Sequence, residues 1–270
     1  MKRLKRLPWS AYKRGKRLIG RVRPGRWLMD WTDPLHIARR LLLQTIRNAS
    51  HFAHGSVLDL GSGAQPYRHL FTKIDRYVTI DLSKNEKLDV RGTALALPFQ
   101  NETFDTVVCS EVLEHVPEPS KLIAEVQRVL RPGGILLLTT PQTWGLHLEP
   151  FDFYRYTKHG LRYLAEKSNL KVLEIVPTCG LWATLTQRLS DTVIHTYVNG
   201  RSEFLVEFLS LLLTPVAMIG YSMDKIFGKR GDTLDHLMIA QKPNADTQTE
   251  LSRLTSEKQA ESVTRAAHEE

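Results

Sequence analysis

The sequence predicts an α/β fold, and three observations carry that prediction. From Gly55 onward, short apolar runs alternate with segments of helical period, as when strands laid side by side are joined by crossover helices. One run, VLDLGSGAQPY at 57–67, ends in an acid and a Gly-Ser-Gly turn ahead of a proline that can open a helix. Within 119–130, Leu122, Ile123, Val126, Val129 and Leu130 share one helical face. At 270 residues, 42% apolar and 24% charged, the chain can bury a core without staples, which excludes collagen-like, wholly disordered and disulfide-built classes.

The elements follow in order. Residues 1–28 form a basic arm with eleven Lys or Arg and no acid, interleaved with Leu4, Leu7, Trp9, Tyr12, Leu18, Ile19 and Trp27; this mixture suits an anionic membrane surface or nucleic acid phosphates. The remaining 26 bases face 29 acids, so the formal charge of +8 belongs to the arm. An N-terminal helix is expected over 33–48 within the segment 29–54, and the main domain over 55–242. Strands are expected at 56–60, 77–80, 88–91, 106–109, 135–139, 172–176 and 236–240, and helices at 66–72, 119–130 and 158–167. Only six residues separate Asp81 from Leu88, so that crossover is trimmed to a loop. Residues 181–230 form an apolar insertion. Its uncharged stretch Phe208–Tyr221 is fourteen residues long and is expected to break at Pro215, short of the roughly 20 needed to span a bilayer. The segment 243–270 reads as a polar tail.

Two cysteines, Cys109 and Cys179, are too distant in sequence for a zinc-ligand pair and too few for an extracellular framework, so no metal site and a reducing, cytoplasmic compartment are expected. Cys109 falls inside an apolar strand and reads as core, and Asp105 as structural.

A dinucleotide fingerprint would need glycine at position 66, where the chain has Pro66. Five further segments follow in order: VTIDLS at 78–83, ALPF at 96–99, ETFDTVVCSEVLEHV at 102–116, VLRPGGILLLTTP at 129–141 and HLEPFDFYRYT at 147–157. Over roughly 55–178 the chain resembles the class I S-adenosylmethionine-dependent methyltransferases, in the small-molecule, type 11-like branch shared with quinone and sterol enzymes. The resemblance implies a Rossmann-like sheet of seven strands, the last antiparallel, with helices on both faces. It also implies S-adenosylmethionine across the carboxyl ends of the first, second and fourth strands. Asp59, Gly61, Ser62 and Gly63 would hold its methionine part, Asp81 the ribose hydroxyls, Ala94 and Leu95 the adenine through their backbone, and Ser110 and Glu111 the methionine end. Two departures stand out. Gln65 replaces a family glycine, which is acceptable if it begins a helix, and Thr93 replaces an acid that contacts adenine.

The loop after the fifth strand concentrates His147, Glu149, Asp152, Tyr154 and Arg155, where open α/β sheets place substrates. His147 is the expected general base, His115 the second candidate, and Glu149, Asp152, Tyr154 and Arg155 the acceptor-binding residues. The function expected is methyl transfer to a small or lipid-linked, saccharide- or quinone-like acceptor at a membrane surface. The alternatives are an RNA methyltransferase using the arm, disfavoured by CSEV where base-amino enzymes carry an NPPY-like element, and a non-catalytic cofactor-binding protein.

Overall fold

A computed structural model describes residues 36–83, 86–194 and 203–244. The basic arm and nearly all of the polar tail lie outside the described residues. The elements are α1 (His36–Ala49), β1 (Ser56–Leu60), β2 (Arg76–Asp81), β3 (Val90–Arg91), β4 (Phe104–Ser110), α2 (Pro119–Val129), β5 (Leu130–Pro141), α3 (Lys158–Lys167), β6 (Lys171–Pro177), α4 (Leu181–Thr192), α5 (Glu203–Phe227) and β7 (Asp235–Gln241).

The strands form one sheet in the order β3-β2-β1-β4-β5-β7-β6. The first five run parallel, and β7 is antiparallel to both β5 and β6. Strand side chains alternate between faces. Leu58, Leu60, Val107, Cys109, Leu136 and Leu138 pack with Leu122, Ile123 and Val126 of α2 and Leu161 and Ala165 of α3. Val57, Val108, Ile135, Leu137, Leu237 and Ile239 pack with Leu42, Leu43 and Ile46 of α1. Both faces are covered, which is why the central strands read as nearly continuous apolar runs. Cys109 is buried core, as expected. Asp105 is structural, accepting from Ser56 N at 2.8 Å and Arg131 at 2.7 Å.

Three expectations need correction. The helix expected at 66–72 shrinks to a single 3-10 turn at Arg68–Leu70. Gln65 stands at φ 58, the left-handed region glycine favours, so it does not begin a helix. Its side chain offsets part of that cost by donating to Lys87 O at 2.9 Å. The third strand has only two residues, because Asp89 binds the Thr79 amide and hydroxyl with its side chain instead of extending the ladder. Pro215 does not break the insertion but lies inside α5. A proline there deprives one carbonyl of its amide, and in that turn the Thr214 hydroxyl donates to Ser210 O at 2.7 Å.

The insertion is therefore a pair of helices, α4 and α5, rooted beside α1 in a cluster of Ile37, Ala38, Leu41, Cys179, Ala183, Ala217 and Leu234. No helix among the described residues is long and apolar enough to cross a membrane. The N-cap of α4, Gly180, has no side chain to offer. Asp224 of α5 supplies the cap, accepting from the amides of Gly180 (2.7 Å), Trp182 (3.1 Å) and Ala183 (3.3 Å). A carboxylate on a helix N-terminus gains from both the amides and the helix dipole. Replacing Asp224 by Ala leaves buried amides unpaired and is expected to cost about 2–4 kcal/mol, with Asp224→Asn intermediate, measured by denaturant unfolding.

Candidate active site

The site is assembled at the carboxyl edge of the parallel strands. Gly61 N and Ser62 N donate to Ile80 O at 2.8 and 3.2 Å, and Gly63 N to Asp81 Oδ2 at 3.0 Å, so the glycine turn is stitched onto the end of β2. Gly61 has φ 74, and a Cβ there would overlap Val112 Cγ2; at Gly63, φ 51, a Cβ would meet nothing nearer than Gly61 O at 3.9 Å. The first glycine is needed for packing, and the second leaves room for a ligand against bare backbone. Asp81 also accepts from Ser83 N, which with the Gly63 bond orients its carboxylate. Asp59, a residue before the turn, is buried, and its Oδ2 accepts from Tyr77 OH at 2.8 Å. Burial raises the Asp59 pKa to about 7, Asp81 adding to the rise and the Tyr77 bond opposing it.

Beyond β4 the chain turns sharply, with Glu111 at φ 55 and its amide on Thr139 O at 3.0 Å. Ser110 Oγ meets Thr139 Oγ1 at 2.8 Å. Residues Leu113–His115 form a 3-10 turn that buries Glu114 and leaves His115 partly exposed. Burial pushes the carboxyls of Glu111, Glu114 and Asp235 above their ordinary range, each of the two glutamates also feeling Asp235.

The loop after β5 folds over this turn. Arg155 grips Asp152 with two bonds of 2.7 Å and reaches Gly145 O (2.8 Å) and Trp144 O (3.2 Å), while Asp152 accepts from His147 N at 2.9 Å. Burial acts against the charge on Asp152, but the Arg155 bonds still hold its pKa below the ordinary value. These two residues thus clamp the loop through a pairing with each other, beside the contact with acceptor expected of them. Their i, i+3 spacing was the available signal. The clamp sets His147 against His115, ring centroids 4.8 Å apart and nearly perpendicular. Of the other expected residues, Glu149 is exposed, and the Tyr154 hydroxyl donates to Pro117 O at 3.1 Å. The Leu95 amide donates to Thr93 Oγ1 at 3.2 Å, so of the two expected adenine contacts it is the one already engaged. Tyr77, Glu114 and Asp235 were not anticipated; only the fold brings them to this edge.

The sequence profile of the family described as "Methyltransferase domain" matches residues 58–138, the stretch from the glycine turn through β5. Over these residues the chain is similar to the methyltransferase domain of the class I S-adenosylmethionine-dependent type. Ubiquinone biosynthesis O-methyltransferases of Xanthomonas euvesicatoria and Nitrosococcus oceani are 31% and 32% identical to this chain over 123 residues, 40% of this chain and 52% of theirs. An uncharacterized chloroplastic methyltransferase of Arabidopsis thaliana is 28% identical over 156 residues, 47% of this chain and 43% of its own. The chain thus spans about half the length of the curated relatives it matches. Its fold is shared with the cyclase SpnF (15% identity, 88% of this chain and 95% of that one, TM-score 0.56) and with an S-adenosylmethionine-dependent methyltransferase of Thermotoga maritima (15%, 87% and 100%, 0.53).

The cofactor implied by that likeness, S-adenosylmethionine, fits this chain's own residues. Ser62 Oγ and Glu111 Oε1 are buried polar atoms without a hydrogen-bond partner, on the two turns that would flank the methionine part. A cationic ligand is also what a set of buried, proton-retaining carboxyls accommodates. The linkage has a definite sign. Because the folded state holds the Asp59 proton up to about pH 7, the stability this group contributes below about pH 4 is lost as pH rises through 7. Asp59→Asn is therefore expected to match the ligand-free parent in melting temperature near pH 4, to pull ahead as pH rises toward 7 and to exceed it by several degrees at pH 8, while losing most of the thermal shift given by S-adenosylmethionine.

Proposed function

We propose that the protein transfers a methyl group from S-adenosylmethionine to an oxygen of a small or lipid-linked acceptor, quinone- or saccharide-like, at a membrane surface. The observation that carries this reading is the histidine pair beside the cofactor turns. In His115, Nδ1 meets Phe151 O at 2.7 Å, and in His147, Nδ1 meets Gly145 O at 3.0 Å. A carbonyl only accepts, so each Nδ1 carries the proton and each Nε2 keeps a lone pair for a base. Burial lowers the pKa of His115, which keeps that ring neutral at pH 7.

When bound, S-adenosylmethionine supplies a methyl group activated on a sulfonium. Asp59, Gly61, Ser62 and Gly63 would hold its methionine part, Asp81 its ribose, Ala94 and Leu95 its adenine, and Ser110 and Glu111 the end nearest the acceptor. The loop clamped by Asp152 and Arg155 presents the acceptor oxygen in line, and His147 or His115 takes its proton at Nε2 as the bond to carbon forms. The named activity of the ubiquinone biosynthesis O-methyltransferases supports an oxygen acceptor over nitrogen. With methyl-labelled cofactor and catechol-type quinone precursors or saccharide lipids as acceptors, label is expected in an ether, and His147→Ala should lower turnover about 10²- to 10⁴-fold with cofactor affinity nearly intact. Label in RNA would favour the basic-arm alternative, and cofactor binding without transfer to any acceptor the non-catalytic one.

The membrane part rests on the helix pair. Leu185 and Leu189 of α4 and Leu211, Leu212 and Ile219 of α5 are each more than half exposed, an apolar surface of the kind that marks an interface. Phe227, Lys229 and Arg230 are exposed at its end, and the Lys225 ammonium sits 4.7 Å from the Tyr221 ring centroid. Each basic residue near an anionic leaflet adds about 1 kcal/mol, and the basic arm would add more. In vesicle co-sedimentation the chain is expected to prefer anionic over neutral vesicles in low salt, and Leu212→Glu to abolish the salt-resistant fraction; equal binding to both vesicle types counts against this part.

A further inference from the structure

We propose that Glu114, His115 and His147 form a binding site for a divalent transition-metal ion. One carboxylate oxygen of Glu114 and one nitrogen of each ring lie within 4.8 Å of one another. Glu114 Oε1 is buried with no hydrogen-bond partner and stands 3.6 Å from His115 Nε2. An orphaned carboxylate oxygen facing an imidazole nitrogen is an unexplained cost unless something else occupies the gap.

The histidines carry the arrangement seen around ligating imidazoles, in which the second ring nitrogen is fixed by an acceptor. His115 Nδ1 is held by Phe151 O at 2.7 Å; His147 Nδ1 is held by Gly145 O at 3.0 Å, with Asp152 Oδ2 at 3.3 Å. In both rings Nε2 is the atom left to coordinate. Ligands on one tetrahedral ion with bonds of about 2.1 Å lie about 3.4 Å apart, so the three atoms need to close by little more than 1 Å. Both rings are partly exposed, with side chains 18% and 24% accessible, so they can turn inward and leave positions open on the solvent side.

Two imidazoles and a carboxylate select Zn²⁺, Co²⁺ or Fe²⁺ over Mg²⁺ and Ca²⁺, which prefer oxygen. The nearby cation, Arg155, lies 3.4 Å from His147 Nδ1 but is paired bidentately with Asp152. The expectation of no metal rested on cysteine spacing; here the ligands come from two loops, more than thirty residues apart in sequence. For the reaction, and this clause rests on the methyl-transfer reading, the ion and the proton compete for the same nitrogens, so occupancy would replace general-base help with Lewis-acid activation of an oxygen acceptor.

The test uses untagged full-length protein stripped with chelator, then titrated with Co²⁺ followed by visible absorption and with Zn²⁺ followed by calorimetry. One equivalent is expected to bind saturably, with d–d bands free of thiolate charge transfer since Cys109 and Cys179 are buried elsewhere. Glu114→Gln and His147→Ala should each weaken binding at least tenfold, with Mg²⁺ failing to compete. His147 is partly exposed, so its variant carries the test even if Glu114→Gln does not fold. Binding of S-adenosylmethionine is measured separately on the same samples. Cofactor binding without saturable metal binding, or metal affinity unchanged in His147→Ala, overturns the metal site alone; metal binding without cofactor binding overturns the function alone.

Discussion

The register of β1 between β2 and β4 is the constraint on which the rest depends. Asp59 lies opposite Thr79 on one side and Val108 on the other, and Leu60 opposite Ile80 and Cys109. Because strand side chains alternate, a slip of one residue would send Leu58 and Leu60 to the wrong face. The same register brings the ends of three parallel strands level, so that the glycine turn meets Ile80 O and Asp81, and β4 runs out beside them at Ser110. Polar function gathers there because the ladders end there and loops take over.

At that edge the acids divide into two kinds. Asp89, Asp105 and Asp152 bind amides, hydroxyls or arginines, and their pKa values lie below the ordinary range. They hold the fold. The carboxyls of Asp59, Glu111, Glu114 and Asp235 are buried without a cation paired to them as in Asp105 and Asp152, and burial pushes all four upward. Such groups weaken a ligand-free fold near neutral pH, and they concentrate where a positive ligand is to be received. Only Asp59 and Glu111 were expected at the site. Glu114 and Asp235 became visible once β4, β5 and β7 were placed side by side.

Periodic signals were legible, and compensated local violations were not. β1 at Ser56–Leu60 and α3 at Lys158–Lys167 match their expected bounds, since apolar runs and a clear helical face leave little choice. The segment after the glycine turn misled because Pro66 resembles a helix start, whereas Gln65 is left-handed and the Asp75 amide returns to Gly55 O at 2.9 Å. The space left suffices for one turn burying Tyr67 and Phe71. Pro215 misled in the opposite sense, because the sequence does not show the neighbouring packing that keeps α5 whole. The pairing of Asp152 with Arg155 was not legible, since a polar loop reads alike whether its charges face a ligand or each other.

The loop after β5 and the apolar helix pair are mechanically one unit. A Cβ on Gly145 would lie 2.9 Å from Arg188 and 3.0 Å from Asp191, so the loop backbone rests directly on an ion pair of α4. The far end of α4 is pinned by Asp224, and Trp144, a residue before Gly145, packs into the cluster that roots the pair beside α1. Whatever engages the exposed apolar face therefore acts on the backbone that positions His147 through Gly145 O and Asp152. A sheet of this kind carries more than one chemistry, as its likeness to a cyclase shows, so the sheet alone does not name the reaction. The reaction must be argued from the side chains at the sheet edge, here a histidine pair held there by a loop whose footing is α4, a helix with an exposed apolar face.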